Sequence, residues 1–192
     1  MELHIYLAFA AATAVMIALP GPSVLLTVAH SISFGWQRGL CTVAGATAGI
    51  AVQLIIAVIG LASLLDTAAS AFEWFRWGGA AYLVFLGIRQ WRNAGEAVDF
   101  DSVQTSGTRL LAQGLVVTVF NPKSLVFIAA FLPQFLDASQ PPGPQFACIV
   151  PTFLVITFTV TSVWALAAGK ASGFLRSRRA FQSALRTAGG FM

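Results

Sequence analysis

Apolar residues in this chain come in five long runs, and most polar residues are confined to the short stretches between them. The runs cover about 3–27, the interval between Arg38 and Asp66, about 68–88, the interval between Arg109 and Asp137, and about 145–169. Each reaches the roughly 20 residues that a helix needs to cross a hydrocarbon core. They are continuous instead of alternating, which argues against the dyad pattern of a membrane β-barrel. The pattern therefore predicts an all-α, polytopic helical bundle.

Composition agrees. The chain is 57% hydrophobic and 9% charged, with a mean hydropathy of +0.80, where a soluble domain carries about 25% charged residues. So few charges cannot cover a soluble surface. A net charge of +4 and a pI near 9.7 would suggest nucleic acid in a soluble protein. Here the basic residues lie in short loops, where they set membrane orientation, and no nucleic-acid partner is expected. If all five runs cross, one side holds Arg38, Arg89, Arg92, Arg109, Lys170, Arg176, Arg178, Arg179 and Arg186, and the other holds only Arg76. The basic side is predicted to be cytoplasmic and the amino terminus periplasmic. The first run lacks a basic leader and is longer than a signal-peptide core, so it reads as an uncleaved span. Cys41 and Cys148 fall in or beside spans and read as buried small side chains, not as a disulfide or metal pair.

The longest polar connection separates two halves. Residues 1–92 read as a first three-helix repeat, 93–109 as a cytoplasmic loop, and 110–192 as a second, incomplete repeat of a single integral membrane domain. Its sixth helix is largely missing, since only 188–192 resemble the start of another apolar segment.

The candidate chemistry lies where spans are interrupted. The first contains Pro20-Gly21-Pro22, and the fourth contains Asn121-Pro122-Lys123. Proline lacks an N–H and clashes with the carbonyl four residues back, so Pro20, Pro22 and Pro122 release the carbonyls of Met16, Ala18 and Thr118. Pro133 does the same to Ala129. A single such proline is an ordinary kink that neighbours re-satisfy. Two breaks that coincide when one half is shifted along the other suggest inverted repeats, whose interrupted helices meet near the midplane in many transporters. Lys123 is the only charge in the fourth span, about 20 Å from either end at 1.5 Å per residue. An ionisable group at that depth marks a pathway or a binding site. Spans one, two, four and five contain no Asp or Glu, so the lysine suits a ligand carboxylate. Ser23, Ser124 and Gln134 lie close enough to the breaks to join it as ligand contacts. Thr27, Gln53 and Thr118 read as interhelical glue. Gly35-xxx-Gly39 and Gly45-xxx-Gly49 read as close-packing positions, against the first span or a second copy of the chain. A homo-oligomer is one form that packing could take.

Together Leu19-Pro20-Gly21-Pro22, the two glycine pairs, Asn121-Pro122-Lys123 and Pro133-Gln134-Phe135 resemble, in order and spacing, the LysE/RhtB family of bacterial amino-acid exporters. The resemblance covers the whole chain. It implies six hydrophobic segments and a secondary transporter of the bacterial inner membrane, exporting amino acids under the proton-motive force without a cofactor. The absence of carboxylates in the broken spans points to a neutral substrate, as in the homoserine/threonine branch. A cationic side chain beside Lys123 would cost several kcal/mol. The expected substrate-binding residues are Pro20, Gly21, Pro22, Ser23, Asn121, Pro122, Lys123, Ser124 and Gln134.

Three other classes fit less well. A divalent metal-ion exporter of a related fold would need carboxylates, imidazoles or thiolates, and the chain has only His4 and His30, far apart. An intramembrane enzyme would need a motif such as Gly-x-Ser-x-Gly or His-Glu-x-x-His, and neither occurs. A non-transporting structural membrane protein would have no use for a lysine at mid-depth.

Overall fold

The computed structural model describes residues 2–64, 88, 106–137 and 139–171. The predicted third span, with Glu73 and Arg76, lies outside them apart from Ile88. So do most of the 93–109 loop and nearly all of the basic carboxyl-terminal stretch.

Six α-helices are described: α1 (Leu3–Ala18), α2 (Pro22–Phe34), α3 (Trp36–Leu64), α4 (Gly107–Val119), α5 (Pro122–Phe131) and α6 (Pro142–Lys170). A 3-10 turn, Leu132–Phe135, extends α5. It forms at Pro133, where the missing N–H prevents a further α turn. The other four predicted spans match these elements, and α4 starts at Gly107, inside the predicted loop, capped by the Ser106 hydroxyl on the Arg109 N–H. Helices α3 and α6 are each long and apolar enough to cross a membrane alone. The pairs α1–α2 and α4–α5 reach span length only when each is taken together across its break, where they bend by 54° and 49°.

Burial follows from helical spacing. On α6 the buried residues are Gln145, Phe146, Ile149, Phe153, Thr157, Thr161, Ala165 and Ala168, one stripe at intervals of three and four. Cys148 falls off that stripe and is exposed, against expectation, while Cys41 is half-buried. The core divides into two layers. The larger joins Phe9, Met16 and Ile17 of α1 with Ile50 and Leu54 of α3, Phe127 and Ile128 of α5, and Phe146, Ile149 and Phe153 of α6. Two of its ring pairs meet edge to face, Phe9 to Phe135 at 5.5 Å and Phe127 to Phe153 at 6.2 Å. The smaller packs Val24, Val28 and Ile32 of α2 against Ala168, near the other end of α6.

The glycines explain how α3 and α4 approach. A Cβ on Gly49 would lie 2.7 Å from Thr118 Cβ and 2.9 Å from the Leu115 carbonyl oxygen, and one on Gly45 would overlap the Leu111 carbonyl. Gly114 of α4 faces back, its Cβ position 3.1 Å from the Ala46 nitrogen. These residues pack the second span on the fourth, a partner the spacing alone did not single out. Gly39 abuts Ser31 of α2, so the lower pair does face the first span. Gly35 turns the chain between α2 and α3 at φ +87°, a backbone region that favours glycine.

One buried amide organises the turn into α6. Gln145 accepts the Asp137 N–H (2.8 Å) and donates to the carbonyls of Asp137 (3.0 Å), Gln140 and Pro141 (both 3.3 Å). Gln145→Leu should destabilise the protein by about 1–3 kcal/mol, the cost of leaving such groups unpaired. Thermal unfolding in detergent would measure it. An unchanged midpoint would mean that water replaces the amide. In the same turn Ser139 donates through its hydroxyl (2.6 Å) and its N–H (2.9 Å) to Asp137. These bonds hold that carboxyl below its usual range.

Candidate functional site at the meeting of two helix breaks

At the first break, Leu19 N–H still closes on the Val15 carbonyl at 3.1 Å. Pro20 and Pro22 then supply no donors, and the helix ends. Pro22 restarts it at the first helical position, where its fixed φ is favourable, with Gly21 as an N-cap that has no side chain to offer. At the second break Pro122 has no N–H, and the Lys123 N–H is taken by the capping side chain of Asn121 at 3.1 Å. The carbonyls of Thr118 and Val119 thus lose the donors four residues on, although the Asn121 N–H still closes a tighter turn on the Thr118 carbonyl at 3.0 Å. Gln53 reaches in from α3 and donates to both, at 2.7 and 3.1 Å. A carbonyl that Pro122 releases is therefore re-satisfied by the side chain read from the sequence as glue.

The two breaks touch. Ser23 Oγ accepts from Asn121 Nδ2 at 2.9 Å and from Thr118 Oγ1 at 3.0 Å. Lys123 Nζ donates to the Leu19 carbonyl across the junction, and Ser124 Oγ donates to the Asn121 carbonyl at 3.2 Å. The lysine is only 7% exposed. The two unbroken helices place the junction near their middles. Ile50, which lines the same junction, is the midpoint of α3, and Thr157 is close to that of α6. Each is therefore about 20 Å from its helix ends.

The junction lines a small cavity of about 30 Å³, room for a water molecule but far less than an amino acid occupies. Among the expected site residues, Gly21, Ser23, Asn121, Lys123 and Ser124 line it. Pro20, Pro22 and Pro122 stand in the breaks and create the shape without lining it. Gln134 lies elsewhere, in the 3-10 turn, where its amide donates to the Ala130 carbonyl at 2.8 Å. Met16, Ile17, Val24, Ala46, Ile50, Thr118, Thr157 and Thr161 complete the lining. Of these, Thr157 and Thr161 carried a legible signal, two hydroxyls one turn apart at the centre of an apolar span. Thr161 donates to the Thr157 carbonyl. A larger cavity of about 390 Å³ lies at the end of the bundle, beside Leu3, Tyr6, Gln145 and Cys148. It contains no charged side chain and is remote from the breaks.

Comparison with known proteins bears on what such a junction serves. The family model described as LysE type translocator matches residues 14–192. The chain belongs to the LysE type translocator family. It is 35% identical over 159 residues to a homoserine/homoserine lactone efflux protein of Salmonella typhimurium, covering 82% of this chain and 77% of that protein. An uncharacterized membrane protein of Vibrio cholerae is 32% identical over 178 residues, 92% of this chain and 87% of that protein. A leucine efflux protein of Klebsiella pneumoniae is 27% identical over 180 residues, 91% and 84% of the two chains. No solved structure matches significantly. The family resemblance read from the proline and glycine motifs is thereby borne out, and the chain is a multi-pass membrane protein of a translocator family.

Proposed function

We propose that this LysE type translocator exports amino acids with neutral side chains across the bacterial inner membrane, as a secondary transporter coupled to the proton-motive force. The observation that carries the proposal is Lys123, buried where two interrupted helices meet, with its amine bonded only to a backbone carbonyl among its described partners. A substrate carboxylate entering the junction replaces Leu19 as the partner of the amine. The Leu19 carbonyl is then free to accept from the substrate ammonium. The amino end of α2 adds to the anion site, because its cap has no side-chain acceptor and its dipole presents positive charge there.

The lining supplies hydroxyls, one amide and one amine, a set that suits a zwitterion better than a divalent cation. Its neutrality apart from Lys123 disfavours a basic side chain, which would sit near the amine without a counter-charge. The efflux relatives support the same class, since homoserine and leucine both have uncharged side chains. The cavity is too small for such a substrate, so loading requires the halves to separate. The similar bends of 54° and 49° favour a rocking of two inverted repeats about the junction. In this orientation the amino terminus is periplasmic and the basic loops are cytoplasmic.

Export from cells loaded with an amino-acid panel tests the proposal. Threonine or homoserine should leave at least about tenfold faster than lysine, given a desolvation penalty of more than 1.4 kcal/mol for the second cation. Faster export of lysine would overturn it.

A further inference from the structure

Threonines inside these helices follow a common habit. Thr27, Thr47 and Thr152 each donate to the carbonyl four residues back, at 2.9, 2.9 and 2.8 Å, and Thr161 does likewise. Such back-bonding is the ordinary resting state of a hydroxyl in an apolar helix. Thr157 departs from it. Its hydroxyl is buried, with the residue 3% exposed, and has no hydrogen-bond partner. Several other buried polar atoms also lack partners, including Thr13 Oγ1 and Gln53 Oε1. Among the described residues, Thr157 is the one such group that lines the cavity between the breaks.

Position gives this hydroxyl a meaning. Lys123 reaches the cavity from α5 and Thr157 from α6, and Met16, Ile17, Ala46 and Ile50 add apolar lining. An amino acid held by its carboxylate at Lys123 would lay its side chain against the rest of this lining. At the middle of a long apolar helix the Thr157 hydroxyl has no ready access to water, and a polar group entering the cavity would supply the partner it lacks. A site built to hydrogen-bond a substrate hydroxyl discriminates against an analogue that lacks it, because the site's own polar group is then stranded.

We infer that Thr157 is the specificity-determining residue of the cavity, selecting substrates whose side chain carries a hydroxyl over aliphatic side chains of equal size. The inference rests on the amino-acid reading above. Thr161, already bonded to the helix backbone, positions Thr157 by tying down the turn that carries it.

The test compares homoserine with norvaline, in which a methyl group replaces the hydroxyl, in proteoliposomes containing the full chain. The parent protein should favour homoserine. Thr157→Val, of nearly the same shape, should lower the homoserine-to-norvaline ratio about fivefold, the value of one ordinary hydrogen bond. Thr157→Ser, which keeps the hydroxyl, should hold the ratio near the parental one. Reconstituted protein is matched by immunoblot, and a ratio within one preparation is insensitive to lost folded protein. An unchanged ratio in Thr157→Val overturns the inference and leaves amino-acid export standing, as does a parent that moves norvaline as fast as homoserine. A parent that moves no amino acid of a wider panel overturns the amino-acid reading itself, and the inference with it.

Discussion

Replacing Lys123 with methionine is expected to abolish amino-acid export while leaving the folded protein as stable as the parent, or more so. Burying an amine costs several kcal/mol, whereas the Leu19 carbonyl, left without its donor, loses only about 1–3 kcal/mol. Methionine fills much of the lysine's volume without the charge, so the balance favours the variant in stability. Function moves the other way. The buried amine is the only cation in the cavity lining, and losing one partner of a buried charge pair is worth about 3 kcal/mol or more. That corresponds to a loss of at least about 100-fold in substrate affinity. Paired measurements of export and of the unfolding midpoint in detergent decide the matter. Export at the parental rate would remove the lysine from the mechanism, and a collapsed midpoint would make it a structural residue.

Introducing leucine at Gly45 should be the most damaging single change to the fold. Even a Cβ there overlaps the Leu111 carbonyl and comes within 2.9 Å of the Leu115 nitrogen. Both are backbone atoms of α4, so relief requires the whole helix to move, and α4 carries Thr118, whose hydroxyl ties the breaks together. We expect about 3 kcal/mol or more of destabilisation, at the upper end for an overpacked core, with α4 displaced and export lost. Gly143→Ala is the control, since a Cβ there meets nothing within 4 Å and should change neither quantity. Thermal unfolding of the two variants beside the parent checks both. Equal midpoints would mean that α3 and α4 are less closely packed than the backbone geometry requires.

These two expectations differ in how readable they were. The consequence of Lys123 was legible from composition, because a charge in an apolar run is conspicuous at any position in the chain. Gly45 was legible only as a packing residue. Its partner, the fourth span and not the first, depended on how the bundle folds, and no spacing rule ranks one neighbour over another when every candidate surface is apolar. Gln134 shows the opposite failure. Its proximity to a break along the chain suggested a ligand contact, but Pro133 tightens the helix into a 3-10 turn and its amide bonds the Ala130 carbonyl.

What the residues alone determined was local and energetic: which segments are helical, where the missing proline N–H groups interrupt them, and which single cation is stranded in an apolar environment. Those facts need only the chemistry of the peptide bond and of hydration, and they act residue by residue. The tertiary structure decided which groups meet. It brought Ser23 to Asn121 over a sequence separation of 98 residues, used Gln53 to bond the Thr118 and Val119 carbonyls at the second break, and left the buried Thr157 in the cavity lining with its hydroxyl unpaired. Such pairings are set by helix packing over the whole bundle, where glycine size and aromatic shape choose among many apolar contacts of nearly equal energy.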